Sequence, residues 1–168
     1  PDTVFLEDLT WTEVRDALAD GTKTVIIPTG GTEQNGPHMV LGKHNYLVKH
    51  KAGEVARRLG NTLVAPVMAY VPEGDVDPPT GHMRFPGTIT TPPGVFEQVL
   101  EFAARSFKQH GFRDIALLGD SGGNQASQAA VAERMGISLS MVEKHIASAM
   151  LHCRRHALAR RKGGSDDN

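Results

Sequence analysis

One cysteine, Cys153, is the whole thiol inventory of the 168-residue chain. An internal disulfide is therefore excluded, and so is any zinc site built from clustered cysteines. Aromatic residues make up only 5%, so a core has to be packed mainly from aliphatic side chains. No apolar run approaches the roughly 20 residues needed to cross a bilayer, and no signal peptide is visible. Together these absences point to a cytoplasmic protein without a membrane partner. The net charge of −1 leaves no large excess of either sign, but the charge is unevenly spread. Residues 1–130 hold 11 Lys+Arg against 15 Asp+Glu, whereas residues 131–162 hold 7 against 2. A basic end on an acidic body suggests two different roles.

Apolar residues and turn signals alternate in a helix–strand rhythm. Thr10 to Asp20 reads as a short helix, capped by Thr10 or Thr12, with Trp11, Val14 and Leu18 as its apolar stripe and Gly21 as its stop. Thr24 to Pro28 is a β-branched run that fits a buried parallel strand. A polar, glycine-rich loop follows from Thr29 to His44, then an amphipathic helix from Tyr46 to Leu59 and a strand from Thr62 to Val67. Residues 70–94 are rich in Pro and Gly, predicting a long ordered loop of the kind that is more often functional than idle, with a short strand over Thr88–Thr90. Val95 to His110 is a helix with Val95, Val99, Phe102, Ala103 and Phe107 along one side. Asp114 to Leu118 is a third strand. The pattern predicts an α/β fold with a mainly parallel sheet.

Ligands of open parallel sheets sit beyond the carboxyl ends of the strands. Two polar loops leave strands in that direction, 30–45 and 119–124. They bring Glu33, His38, His44 and Asp120, all able to bind a divalent metal, with Asn35, Ser121 and Asn124 as polar support. Carboxylate with imidazole suits zinc or manganese, and such an ion lowers the pKa of a bound water to about 7. The plain alternative is that these loops only carry turn residues and helix caps.

The segments themselves carry a family likeness. Thr29-Gly-Gly-Thr-Glu-Gln-Asn-Gly-Pro-His-Met-Val-Leu-Gly42 is similar to the first metal-binding loop of the creatininase (creatinine amidohydrolase) family. His82-Met-Arg-Phe-Pro-Gly-Thr88 resembles that family's Phe-Pro-Gly-Thr segment, and Gly119-Asp-Ser-Gly-Gly-Asn124 its glycine-rich loop after the next strand. The resemblance covers about residues 4–128, the front part of the family. It implies a three-layer α/β/α fold and a homo-oligomer that hydrolyses small amides or cyclic amides at a C–N bond with one or two divalent ions. Glu33 falls on the family's first ligand glutamate, while Asn35 stands at a ligand histidine, His44 at a bridging aspartate and Ser121 at a histidine. The implied metal set is Glu33, His44 and Asp120. Candidates at the chemistry are His38, Asp120 and Ser121, with water and not Ser121 as the expected nucleophile, and Asn35 and Asn124 are candidate substrate contacts. Gly119-Asp-Ser-Gly-Gly123 also matches a serine-protease string, but the alternating strands of that fold are missing.

From about residue 129 the pattern changes. Ala129–Met135 predicts a short helix, Gly136 to Ser140 a turn, and Ser140-Met-Val-Glu143 a capping box opening another helix, with Val142, Ile146, Ala149 and Cys153 on one face. Residues 131–155 resemble region four of extracytoplasmic-function sigma factors, a helix-turn-helix unit. That resemblance implies duplex DNA as an alternative partner, met by Ser140, Lys144, His145, Arg154 and Arg155. The other reading of the same text is a helical pair packed on the sheet with a solvated basic face. The expected organisation is an α/β domain over 1–128, a helical segment over 129–162 and a disordered tail over 163–168.

Overall fold

Three strands form one parallel sheet with β1 (Thr24–Thr29) in the middle, β2 (Thr62–Val64) on one side and β3 (Asp114–Gly119) on the other. These elements belong to a computed structural model that describes residues 2–119 and 124–135, without the side chains of Asn124, Gln125 and Gln128. Four helices connect and cover the strands: α1 (Trp11–Ala19), α2 (Lys43–Leu59), α3 (Pro93–Gln109) and α4 (Asn124–Arg134). No helix among the described residues is long and apolar enough to cross a membrane.

The two-residue period of a strand sorts the core into two layers of contact. Val25 and Ile27 of β1, Leu63 of β2 and Leu117 of β3 face one way, into a cluster with Phe96, Leu100 and Ala104 of α3 and Val131 of α4. Val14 and Leu18 of α1 pack against that cluster. Ile26 and Val64 face the other way, onto Ala52 and Ala56 of α2. The sheet is thus sandwiched between α2 and the other three helices, the three-layer arrangement expected. Thr10 caps α1 through a capping box with Glu13, whose carboxylate accepts the Thr10 N–H at 2.7 Å. Arg134 at the end of α4 bridges to Glu97 (2.8 Å) and Glu101 (3.0 Å) of α3, tying the two helices together.

Several boundaries differ from the sequence pattern, each for a local reason. β2 stops at Val64, short of the expected Val67; Ala65 N–H still bonds Ile26 O at 2.8 Å, Pro66 cannot donate to a ladder, and Thr29 pairs next with Met68. Thr88–Thr90 forms no strand, because Ile89 N–H goes to Thr32 O and the Thr90 hydroxyl to Gly74 O. α3 starts at Pro93, where a missing N–H costs nothing. α4 starts at Asn124, ahead of the expected Ala129. The buried stripe of α3 is also displaced. Phe96, Leu100 and Ala104 are buried, whereas Val99 and Phe102 are 53% and 65% exposed. The helix carries two apolar stripes, and the sheet covers only one of them. Trp11 of the α1 stripe is likewise exposed, under Arg15.

The two stripes make different predictions. Phe96→Ala should cost about 3–5 kcal/mol of stability, the usual range for emptying a buried aromatic site. Val99→Ala should cost under about 0.5 kcal/mol. Urea unfolding of the two variants checks the assignment, and equal losses would contradict it.

Candidate metal centre

β1 delivers its chain end to the middle of the sheet edge, and the loop that follows is pinned at successive positions. Gly30 N–H bonds Met68 O at 3.0 Å, Gly31 N–H bonds Asn45 Oδ1 at 2.9 Å, and Glu33 N–H bonds Leu41 O at 3.2 Å. Asn35 Nδ2 donates to the backbone oxygen of Glu33 at 2.9 Å. Glu33 is held buried, with two imidazoles on its carboxylate. His44 Nε2 lies 2.8 Å from Oε1, and His82 Nδ1 lies 3.0 Å from Oε2. His44 is the second residue of α2, while His82 comes from the 3-10 turn Gly81–Arg84 in the long Pro/Gly loop.

The same loop brings in a second carboxylate. Glu73 N–H bonds the Thr90 hydroxyl at 3.0 Å, and His82 N–H bonds Glu73 O at 3.0 Å. The backbone from 73 to 82 thereby closes on itself and sets both side chains against Glu33. Glu33, Glu73 and His82 each offer a ligand atom, and these atoms lie within 4.8 Å of one another. Glu73 is buried, and its Oε1 has no hydrogen-bond partner among the described residues. Burial, then a hydrogen bond to Glu33 and the charge of Glu33, push the Glu73 carboxyl up to about 9. Burial and the neighbouring carboxylate thus favour the protonated form of Glu73, which can donate to Glu33. A buried carboxylate oxygen without a described partner, beside a second carboxylate and an imidazole, is a donor set that fits a divalent cation, which Glu33, Glu73 and His82 would hold.

Of the residues singled out from sequence, the structure brings Glu33 and His44 into contact and places Asn35 on the backbone of Glu33. His38 sits exposed in the turn after Gly36. Asp120, Ser121 and the side chain of Asn124 lie outside the described residues, as do Ser140, Lys144, His145, Arg154 and Arg155. Glu73 and His82 were not singled out as ligands. The available signal was indirect: a long Pro/Gly loop, and His82 at the head of the Phe-Pro-Gly-Thr segment.

The raised Glu73 carboxyl gives a pH dependence with a definite sign. A carboxyl whose folded value lies near 9, above its ordinary 4.5, stabilises the fold fully below 4.5 and loses that contribution as pH rises to about 9. With divalent ions removed by chelator, the urea midpoint should fall between pH 5 and about 8.5. Glu73→Gln, which keeps the shape and a donor to Glu33, should flatten that slope. An unchanged slope in the variant would rule out Glu73 as its source.

Comparison with known proteins bears on this geometry. The creatinine amidohydrolase (creatininase) family model matches residues 7–167. That span takes in 129–162, and the sigma-factor resemblance of that segment finds no support. The chain is 33% identical over 113 residues to the mycofactocin precursor peptide peptidase of Mycolicibacterium smegmatis, covering 64% of this chain and 43% of that protein. It is 30% identical over 123 residues to the 3-dehydro-scyllo-inosose hydrolase of Thermotoga maritima, covering 73% and 37%. The solved structure of a creatininase in an Mn form superposes with a TM-score of 0.64 at 25% identity, covering 92% of this chain and 54% of that one. A mutant creatininase of the Zn–Zn type gives 0.61 at the same identity and coverage. The chain thus spans less than half the length of these curated relatives and about half that of the solved ones. By sequence and by fold, the chain belongs to the creatininase family.

Proposed function

We propose that this chain carries the metal-holding part of a hydrolase that cleaves the C–N bond of a small amide or cyclic amide. The observation that carries the reading is the convergence of buried Glu33 and Glu73 with His82, one Glu73 oxygen lacking a partner among the described residues. Family membership supports the reaction class, and the Mn and Zn–Zn forms among solved relatives support manganese or zinc as the ion.

When bound, such an ion supplies Lewis acidity toward a carbonyl and activates water. The residues of this chain do the rest. Glu33 and Glu73 provide hard oxygen donors, and His82 provides a borderline nitrogen donor. His44, on the other oxygen of Glu33, fixes how that carboxylate is presented, as a supporting shell does around metal ligands. Asn35 holds the backbone of Glu33 from below. Asp120, from the segment after β3, is proposed as a further ligand. The two relatives act differently, one as a peptidase and one as an inosose hydrolase, and the small-amide substrate rests on membership of the creatinine amidohydrolase family.

Elemental analysis of protein purified without chelators tests the ligand set. About one equivalent of manganese or zinc is expected in the wild type, and Glu73→Ala or Glu33→Ala should lose it, because the ligands act as a set. Less than roughly a tenth of an equivalent in the intact wild type would sink the proposal. The choice of nucleophile has its own check. A fluorophosphonate should leave Ser121 unlabelled, and stoichiometric labelling would replace water with serine in the reaction.

A further inference from the structure

We infer that Asn45 is a positioning residue for Glu33: it presets the metal site from outside. The inference rests on the metal reading above but concerns a side chain to which that reading gives no role. Asn45 is the third residue of α2. Its Oδ1 accepts the Gly31 N–H at 2.9 Å, and its Nδ2 donates to the Thr32 hydroxyl at 3.2 Å. The Thr32 hydroxyl in turn donates to Ala69 O at 3.3 Å. The two residues immediately before Glu33 are therefore both held by one amide.

The fit leaves no room for slack. A methyl group on Gly30 would lie 2.1 Å from Asn45 Oδ1 and 3.0 Å from its Cα, so the loop runs directly against α2. On the opposite side, a methyl group on Gly31 would lie 2.7 Å from Glu73 Oε1. The Gly30–Gly31 backbone is clasped between α2 and the second carboxylate of the site. A displacement at Gly31 moves Glu33 and at the same time alters the wall against which Glu73 rests. Gly31 is buried, so losing Asn45 removes the acceptor that its N–H has inside the fold and loosens the loop. The anchor is rigid because α2 is packed on the sheet through Ala52 and Ala56, both fully buried. Asn45 thus transmits the position of the helix to the ligand loop.

Manganese titration followed by the electron-paramagnetic signal of the free ion tests this, combined with amide exchange at Gly31 in chelator-treated protein. Asn45→Ala should weaken manganese binding by about tenfold or more, the usual cost of removing a supporting residue, and should speed exchange at Gly31. Asn45→Asp keeps the acceptor for Gly31 N–H but not the donor to Thr32, and should hold exchange at Gly31 near wild type. Thr32→Val, which removes only the hydroxyl between Asn45 and Ala69 O, should give a smaller loss in the same direction. If Asn45→Ala fails to fold, Thr32→Val decides, and wild-type affinity in it overturns the inference. Wild-type affinity in folded Asn45→Ala overturns it too, while leaving the metal reading intact. A wild-type protein that takes up no manganese or zinc removes both at once.

Discussion

Two carboxylates buried side by side cannot both be charged unless a cation stands between them, and the architecture around Glu33 and Glu73 follows from that constraint. In the absence of an ion the pair resolves it with a proton, which burial and the neighbouring charge keep on Glu73 far above the ordinary carboxyl range. A divalent ion held there would resolve it differently, by neutralising the pair where one Glu73 oxygen has no partner among the described residues. Few buried polar atoms in a native fold are left without a partner, and those that are call for an explanation. Here the explanation and the family point the same way.

Holding such a pair against its own repulsion requires rigid supports, and the fold provides them from three directions. The central strand ends beneath Glu33 and is hydrogen-bonded on both sides. Helix α2 contributes His44 to the carboxylate and Asn45 to the backbone that precedes it. The long loop contributes Glu73 and His82, joined at their backbones by one hydrogen bond and held by Thr90. None of these contacts is strong alone. Their effect is to fix where two carboxylates and two imidazoles stand, and pre-set geometry is what a metal site needs.

The outer surfaces are less settled than the interior. The second apolar stripe of α3, with Val99 and Phe102 on it, faces away from the described core. The matched stretches make up only 43% and 37% of those two relatives, so the described residues present only part of the surface found in those proteins. The ion pairs of Arg134 with Glu97 and Glu101 fasten α4 to α3, and Val131 places that helix in the main core. The first turns of the basic segment are thus part of the α/β body.

Much of the fold was legible from local chemistry. β-branched runs such as Val25-Ile-Ile27 strongly favour buried strands, a threonine ahead of an apolar stripe marks Thr10 or Thr12 as a helix cap, and period-2 alternation sends Val25 and Ile26 to opposite faces of a sheet. Glu33 and His44 could be read from the motif that carries them, because the spacing within one loop and the next helix is short. Sequence alone could not choose between the two apolar stripes of α3, since hydrophobicity does not say which side a sheet will occupy. Nor could it identify Glu73 and His82 as partners of Glu33. They lie 40 and 49 residues further on in an aperiodic loop, and nothing in their neighbours fixes the path of the backbone between them. What joins them is a hydrogen bond from His82 N–H to Glu73 O and burial against β1, contacts that exist only once the chain has folded. The sequence by itself determined which elements form and one side of the site; the tertiary structure decided the other side, because long-range approach and shared burial, not local propensity, set two carboxylates against each other.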